Sequence, residues 1–352
     1  MVTGGRNSNA TPAQSPVLLR HIVKNFIIIS FLIFSNHSYG QTKRPEDFGF
    51  RHFQILYKGD TVDILIKSKK GEENIPKPLF FYCQGSLPQP LIKTDNEITY
   101  GVFSFKPDSL AKYFHLVIVS KPFVPLIMDK KNLGNNFCYL DTNGKMIKDY
   151  SDRNLLDYYV KRDIEVIKFL EKQKWISSNK LILAGHSEGS TVVSKIASIY
   201  PKVTHLIYSS GNLFGRIMSI IGQSRQEEND TTKIADEDFS MWQNSNDKPN
   251  DLDFSPGDTH RATIQFSNPP IQYLEKLKIP VLVCYGTKDW CAPFNDYLRV
   301  KTIRKHKSNF TFNAYIGTEH NFFPLKQNGQ INYDIFNWDK VANDWLTWLI
   351  SK

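Results

Sequence analysis

The feature that most constrains this chain is the run from Leu181 to Gly189, Leu-Ile-Leu-Ala-Gly-His-Ser-Glu-Gly. Its apolar start is typical of a buried strand, and the segment that begins at Ser190 has the pattern of a helix. A strand-to-helix turn this sharp strains the backbone at its central residue and raises that side chain above the sheet. Gly185 lacks a Cβ atom that would clash in such a turn, and so does Gly189. The pattern therefore predicts that Ser187 is an exposed nucleophile beside a helix N-terminus. The alternative is an ordinary loop serine.

Two later turns supply an acid and a base in the expected chain order. Residues 279–285 form a short apolar run rich in β-branched residues, which predicts a buried strand, and a turn ending in Asp289 follows it. Residues 309–316 alternate as a strand and lead to His320. Parallel strands end at one edge of a sheet, so these side chains should meet Ser187 there. His320 would accept the serine proton, and Asp289 would hold the imidazole in the correct tautomer. The alternatives are a solvated turn aspartate and a loop histidine.

Four other titratable residues could compete for these roles, and each is a weaker candidate. Glu319 is adjacent to His320 and should point away from it, while His186 should pack beneath the turn. Asp296 falls within the helix expected after the acid, and His260 lies in an irregular stretch.

The loop after an early strand is expected to complete an oxyanion hole. Residues 79–83 form that strand, and Gly85 in the following turn would let the backbone approach a reacting carbonyl. The backbone N–H groups of Ser86 and Glu188 are the candidate donors. The alternative for Gly85 and Ser86 is a plain turn.

The three turns at 185–189, 286–289 and 317–320 together resemble the α/β-hydrolase superfamily, over residues 50–350. The Gln-Gly-Ser turn at 84–86 is most similar to the dienelactone-hydrolase-like and acyl-thioesterase-like bacterial members, and the chain lacks the His-Gly-Gly turn common in lipases and esterases. The resemblance implies a mostly parallel sheet with helices on both faces. It also implies acyl transfer through a covalent serine ester.

The remaining pattern fits one such α/β domain over residues 41–352, with no internal repeat. We expect a hairpin at residues 52–66 and two further strands at 115–120 and 203–208. We also expect a helix at 152–175, before the serine turn, and a C-terminal helix at 338–349.

A stretch of about 65 residues before the strand at 279 is longer than a strand-to-helix connection needs. Long connections in compact domains are usually functional, so residues 212–275 are expected to form a lid, or cap, over Ser187. Met218, Ile221 and Trp242 are the candidate substrate-binding residues within it. The alternative is a peripheral excursion that never touches the substrate.

The N-terminus has the layout of a secretory signal peptide. Basic residues without acidic ones are followed by the apolar run 26–34, which is too short to span a bilayer. Ser38 and Gly40 then predict cleavage before Gln41, which implies a secreted or periplasmic protein. An uncleaved anchor is the alternative. After cleavage no stable membrane span is expected.

The net charge, the cysteines and the absence of binding motifs limit which partners and cofactors are expected. The net charge of +9 is scattered and accompanies no recognition motif, so no nucleic acid partner is expected. Cys83 and Cys284 should pack in the core, while Cys138 and Cys291 could pair in an exported protein. No zinc spacing, phosphate loop or dinucleotide motif occurs, so neither metal nor cofactor is expected.

The sequence thus predicts a serine hydrolase for a small ester or thioester. A serine peptidase and a non-catalytic binding protein are the alternatives.

Overall fold

The computed structural model describes residues 43–95, 99–255 and 258–352. The expected signal peptide lies outside these residues. Among the described helices, none has both the length and the apolar character needed to cross a membrane.

Alternating and β-branched segments form the strands. In chain order they are β1 Arg51–Tyr57, β2 Asp60–Lys67, β3 Lys77–Cys83, β4 Ile92–Thr94, β5 Thr99–Tyr100, β6 His115–Val119, β7 Ile127–Asp129, β8 Ile176–His186, β9 His205–Ser209, β10 Phe254–Ser255, β11 Asp258–Thr259, β12 Val281–Gly286 and β13 Phe310–Tyr315.

The helices connect these strands and cover the sheet. They are α1 Asp108–Ala111, α2 Lys148–Arg153, α3 Leu156–Glu171, α4 Glu188–Ile199, α5 Arg216–Glu227, α6 Ile234–Asp247, α7 His260–Phe266, α8 Ile271–Leu274, α9 Ala292–Arg304 and α10 Trp338–Ser351, with 3₁₀ turns at Pro45–Phe48, Lys130–Asn132 and Asn135–Phe137. The helix expected over 152–175 is shorter, because the chain turns at Asn154 before α3 begins.

Eight strands form the central sheet in the order β1-β2-β6-β3-β8-β9-β12-β13. β2 is antiparallel to both of its neighbours, and every pair from β6 onward is parallel. The predicted mostly parallel α/β sheet is therefore confirmed. The parallel strands end at one edge, which brings the ends of β3, β8, β12 and β13 together.

Two apolar layers bury the faces of this sheet. One face packs against α3, α4 and α9, through residues such as Phe81, Leu183 and Val283. The other face packs against α1 and α10, through Phe80, Ile182 and Trp345. Alternation within each strand sends successive side chains into opposite layers, so the inner strands β6, β9 and β12 are buried along their whole length. Both layers fix the strand ends that carry the site.

The long segment between β9 and β12 contains α5, α6, α7 and α8. α5 packs against α6 and α7. Ile217, Ile221 and Ser224 form the buried face of α5. The segment is therefore helical rather than an extended loop.

Candidate active site

Ser187 occupies the turn between β8 and α4 in a strained backbone conformation. Its φ is 55° and its ψ is −124°, a region that a non-glycine residue adopts at a cost of about 1–3 kcal/mol. The N–H of Ser187 donates to the carbonyl of Ser209 on the adjacent strand over 2.9 Å, which holds the strained peptide in place. The hydroxyl is thus presented at the edge of the sheet.

Steric crowding explains the two glycines of this turn. A Cβ atom at Gly185 would lie 2.3 Å from the carbonyl oxygen of Gly189, and one at Gly189 would lie 2.2 Å from that of Cys83. Distances this short exclude any side chain. α4 can therefore begin directly after Ser187 and pass close to the end of β3.

The structure brings Ser187, His320 and Asp289 into one hydrogen-bonded chain. His320 Nε2 lies 2.9 Å from Ser187 Oγ, and His320 Nδ1 lies 2.9 Å from Asp289 Oδ2. The carboxylate can only accept, so Nδ1 carries the proton and Nε2 accepts from the serine hydroxyl. This tautomer is the one that a general base for Ser187 needs.

Asp289 is held rigidly behind the imidazole. Its side chain is fully shielded from solvent, and its second oxygen accepts from the N–H of Cys291 over 3.0 Å. Trp290 stacks on the His320 ring with centroids 4.4 Å apart and planes 19° from parallel. The imidazole is therefore fixed in position by the carboxylate and in orientation by the indole. The sequence analysis did not identify Trp290, because its contact joins two loops 30 residues apart.

The competing titratable residues have other partners. His186 bonds Ser209 Oγ over 3.1 Å and Asn321 Oδ1 over 3.2 Å, and burial, with His320 next, lowers its pKa well below the ordinary value. Glu319 accepts from the backbone of its own loop. His260 bonds Ser245 within the insertion. None of the three contacts Ser187 through a hydrogen bond.

The loop after β3 passes directly over the serine, as the oxyanion prediction requires. A Cβ atom at Gly85 would lie 3.7 Å from that of Ser187. The loop is anchored by Tyr150, whose hydroxyl donates to the Ser86 carbonyl over 2.9 Å, and by Gln84, whose amide donates to Val119 over 3.0 Å.

Two of the cavities in the described part of the chain border Ser187. The first, cavity A, has a volume of about 240 Å³ and is walled by α5 and by residues of the acid and serine turns. The second, cavity B, has a volume of about 400 Å³ and is walled by the loop after β3 and by residues 101–104. Ser86, Ser187, Gln223, Trp290 and His320 line both.

The predicted pocket residues Met218, Ile221 and Trp242 line neither cavity, which corrects that expectation. α5 instead presents Arg216, Ser219, Ile220 and Gln223 to the cavities, because Ile221 lies on its buried face. The sequence placed these four residues within the expected cap but did not single them out.

Charged residues missed by the sequence analysis also border the cavities. In cavity A, Arg216 pairs with Glu188 and with Asp258. Glu188 also lies 3.4 Å from Lys121, and burial, with Arg162 and Arg216 next, lowers the pKa of Lys121 to about 7. In cavity B the charged residue is Lys93.

All four cysteines are free and buried, so the structure does not contain the pairing considered for Cys138 and Cys291. Asp289, Cys291 and His320 offer potential metal-ligand atoms within 4.8 Å of one another. Burial, and then Asp289, raises the pKa of the Cys291 thiol well above its usual value. A protonated thiol is a poor metal ligand, and the other two groups bond each other.

Comparison with known proteins gives likenesses of structure. No protein-family model matches the chain, and no curated protein matches it in sequence. Est1E from Butyrivibrio proteoclasticus, with ferulic acid bound, aligns with a TM-score of 0.50 and 14% identity over 85% of this chain and 100% of Est1E. A putative dipeptidyl aminopeptidase IV from Bacteroides ovatus aligns with a TM-score of 0.52 and 10% identity over 86% of this chain and 36% of its own.

These likenesses and the sheet order define an α/β-hydrolase fold. The fold is therefore the one that the three turns predicted.

Proposed function

We propose that the protein is a serine hydrolase that cleaves a small ester or thioester. The observation that carries the proposal is the continuous hydrogen-bonded chain from Ser187 through His320 to Asp289, at the one strained turn where the serine is presented. A structural serine has no need of a base held by a buried carboxylate and a stacked indole.

The chemistry follows from the positions of the protons. Ser187 Oγ attacks the carbonyl carbon while His320 Nε2 accepts its proton, and the carbonyl π electrons move to oxygen. Collapse of this tetrahedral species breaks the bond to the alcohol or thiol, which takes the proton from His320 as it leaves. Water then attacks the acyl-enzyme with His320 as base and regenerates Ser187. Asp289 stabilises the imidazolium in each half-reaction.

The N–H groups of Ser86 and Glu188 are the proposed donors to the developing oxyanion. Glu188 begins α4, so the helix N-terminus adds a favourable dipole there. Neither N–H makes a backbone hydrogen bond within the described part of the chain. Both therefore remain available for the substrate oxygen.

The cavities favour a small ester or thioester over a peptide. Their volumes suit compact acyl and leaving groups rather than long chains. A peptidase that recognises an amino terminus needs unneutralised carboxylates near the serine. The carboxylates of Glu188 and Asp258 in cavity A are already paired with Arg216. A serine peptidase is thus the second candidate, and a binding protein without catalysis is the third.

Residues 212–275 are proposed to act as a cap that shapes the substrate site. The support is that Asn212, Arg216, Gln223, Asp258 and Phe266, all within this segment, line cavity A beside Ser187. A peripheral excursion would not contribute to the wall of that cavity.

Export is proposed from the sequence of residues 1–40. The mature protein should begin at or near Gln41 and should be found in the periplasm or outside the cell. N-terminal sequencing of the native protein tests this. A membrane-bound species that retains residues 1–40 would identify an anchor, and a cytosolic one would exclude an export signal.

The hydrolase proposal is tested with a panel of p-nitrophenyl esters of graded acyl length, acyl-thioesters and aminoacyl-nitroanilides. The wild type should cleave short esters or thioesters fastest, and Ser187→Ala should lose at least about a thousandfold in kcat. Ser198→Ala, at the far end of α4, is the matched control because its hydroxyl bonds only its own helix. Preference for the nitroanilides would favour the peptidase, and no turnover would favour a binding protein.

A further inference from the structure

Cavity B contains a formal charge that nothing in its described wall balances. Lys93 is the only lysine or arginine among the described residues that line it, and these residues include no aspartate or glutamate. His186, which also lines it, is held neutral by the burial that lowers its pKa. The wall therefore combines a cation with otherwise uncharged groups around the nucleophile.

Lys93 lies on β4, and only 9% of its surface is exposed. Its ammonium donates to the carbonyl oxygen of Pro90 over 3.1 Å and to Oε1 of Gln89 over 3.4 Å. Both acceptors are neutral. An ammonium has three N–H donors, so one remains for another partner.

A buried ammonium without a carboxylate partner is costly to maintain. Burial lowers the pKa of Lys93 to about 8, which still leaves the group mostly protonated at neutral pH. An anion that entered cavity B would supply the missing counter-charge. It would also accept the free N–H in a charge-assisted hydrogen bond, which is stronger than a neutral one.

The other buried cations near the serine are already paired. Arg216 contacts two carboxylates in cavity A, and Arg162 lies 2.8 Å from Asp163. Lys121 lies 3.4 Å from Glu188. The imbalance is therefore specific to Lys93 and to cavity B.

We propose that Lys93 binds a carboxylate carried by the substrate, on the part that occupies cavity B while the scissile carbonyl lies at Ser187. The substrate class is thus a small ester or thioester with a free carboxylate. This inference rests on the proposed hydrolase function. Neutral esters of the same shape should be poorer substrates, because they leave the ammonium without a counter-ion.

The test uses two matched pairs of esters, since the carboxylate could belong to either side of the scissile bond. The first pair is 4-acetoxybenzoate and 4-acetoxybenzamide, which differ in the leaving group. The second is 4-nitrophenyl hemisuccinate and 4-nitrophenyl succinamate, which differ in the acyl group. The kcat/KM of each ester at pH 7 is divided by the rate constant for its hydrolysis by hydroxide. In at least one pair the wild type should prefer the anionic ester by about tenfold to a hundredfold in kcat/KM, the range of one charge-assisted hydrogen bond.

The variant Lys93→Met should lose this preference, so that its kcat/KM for the anionic ester falls to about that for the neutral ester of the same pair. Lys93→Arg should retain part of the preference because it retains the charge. Lys112→Met is the control for net charge, since this exposed lysine precedes β6 at the opposite end of the sheet from Ser187. It should leave the preference unchanged.

A preference that is absent from both pairs in the wild type, or that survives in Lys93→Met, would overturn the role of Lys93 and leave the hydrolase proposal intact. Turnover of neither pair would count against the hydrolase proposal instead. In that case binding decides the inference: succinate or 4-hydroxybenzoate should raise the Tm of the wild type but not of Lys93→Met. If Lys93→Met does not fold, the carboxylate must still outperform its amide in the wild type.

Discussion

The proposed catalytic chain of Ser187, His320 and Asp289 and the walls of the two cavities beside it are built in different ways. Ser187, Asp289 and His320 follow the ends of three parallel strands, and short turns fix each of them. The walls come from the insertion before β12 and from the loop after β3, which are not part of the repeating strand–helix pattern. The difference teaches that residues at the sheet edge determine the type of reaction, whereas the added segments determine which substrate fits.

The two walls also differ in charge balance. In cavity A, Arg216 is neutralised by Glu188 and Asp258, so the ion pairs mainly hold α5 against the serine turn. In cavity B, Lys93 has only neutral acceptors among the described residues. Changes in the catalytic chain should therefore alter kcat, changes in cavity A should alter stability, and changes at Lys93 should alter substrate preference.

The largest expected effect is the loss of kcat when Asp289, the proposed acid, is changed. Asp289→Asn keeps the side-chain shape but presents an amide that favours the wrong histidine tautomer, which should lower kcat by up to about four orders of magnitude. Steady-state kinetics on the best short ester measures the loss, and thermal unfolding should show a folded protein. Asp296→Asn is the control, because that carboxylate bonds Tyr285 rather than the site. Full activity in Asp289→Asn would break the assignment of the catalytic chain.

A smaller effect, on stability, is expected in cavity A. Arg216→Met removes the guanidinium that pairs with Asp258 and leaves Glu188 with Lys121 as its cation, which should lower the free energy of unfolding by on the order of 3 kcal/mol. Urea denaturation measures the change. Arg225→Met on the same helix is the matched control, since its pair with Glu228 is exposed and solvent screening should leave it with a much smaller contribution. Equal losses in the two variants would mean that the Arg216 ion pairs do not hold the wall.

The last expected effect is a pH dependence of stability, which the unbalanced Lys93 should cause. Its pKa in the folded protein is about 8, below the ordinary 10.5, so the unfolded chain binds more protons between these values. The free energy of unfolding of the wild type should therefore rise with pH across this window, relative to Lys93→Met, by up to about 1.4 kcal/mol per pH unit. Below pH 8 the difference should be flat. A difference that stays flat up to pH 10 would show that the ammonium is not penalised by burial.

The hydrogen-bonded arrangement of Ser187, His320 and Asp289 could be predicted from the sequence, because local steric demands specify the turns that hold these residues. Only glycine fits at Gly185 and Gly189, and strand patterns locate the turns that hold Asp289 and His320. The sheet could be predicted for the same reason, since its strands are short apolar runs bounded by turn residues. The sequence predicted an oxyanion loop at Gly85, and the structure places Gly85 beside Ser187. The donor role of Ser86 stays a prediction.

The cavity walls could not be predicted because tertiary packing decides them. The face of α5 that meets the cavities depends on how Ile217 and Ile221 dock against the rest of the insertion, which periodicity alone does not fix. Trp290 follows the acid directly in sequence, yet its stacking on His320 depends on two separate loops. Lys93 interrupts an apolar stretch, and that weak signal gives no hint of the cavity beside it.

The central claim, that Ser187 is a nucleophile activated by His320, is tested most directly by covalent labelling with a fluorophosphonate probe followed by peptide mapping. The account predicts one adduct per chain, located on Ser187, with none in Ser187→Ala and strongly slowed labelling in His320→Ala. Ser198→Ala should label at the wild-type rate. An unmodified Ser187 in the folded wild type, or an adduct that persists in Ser187→Ala at the same rate, would contradict the account.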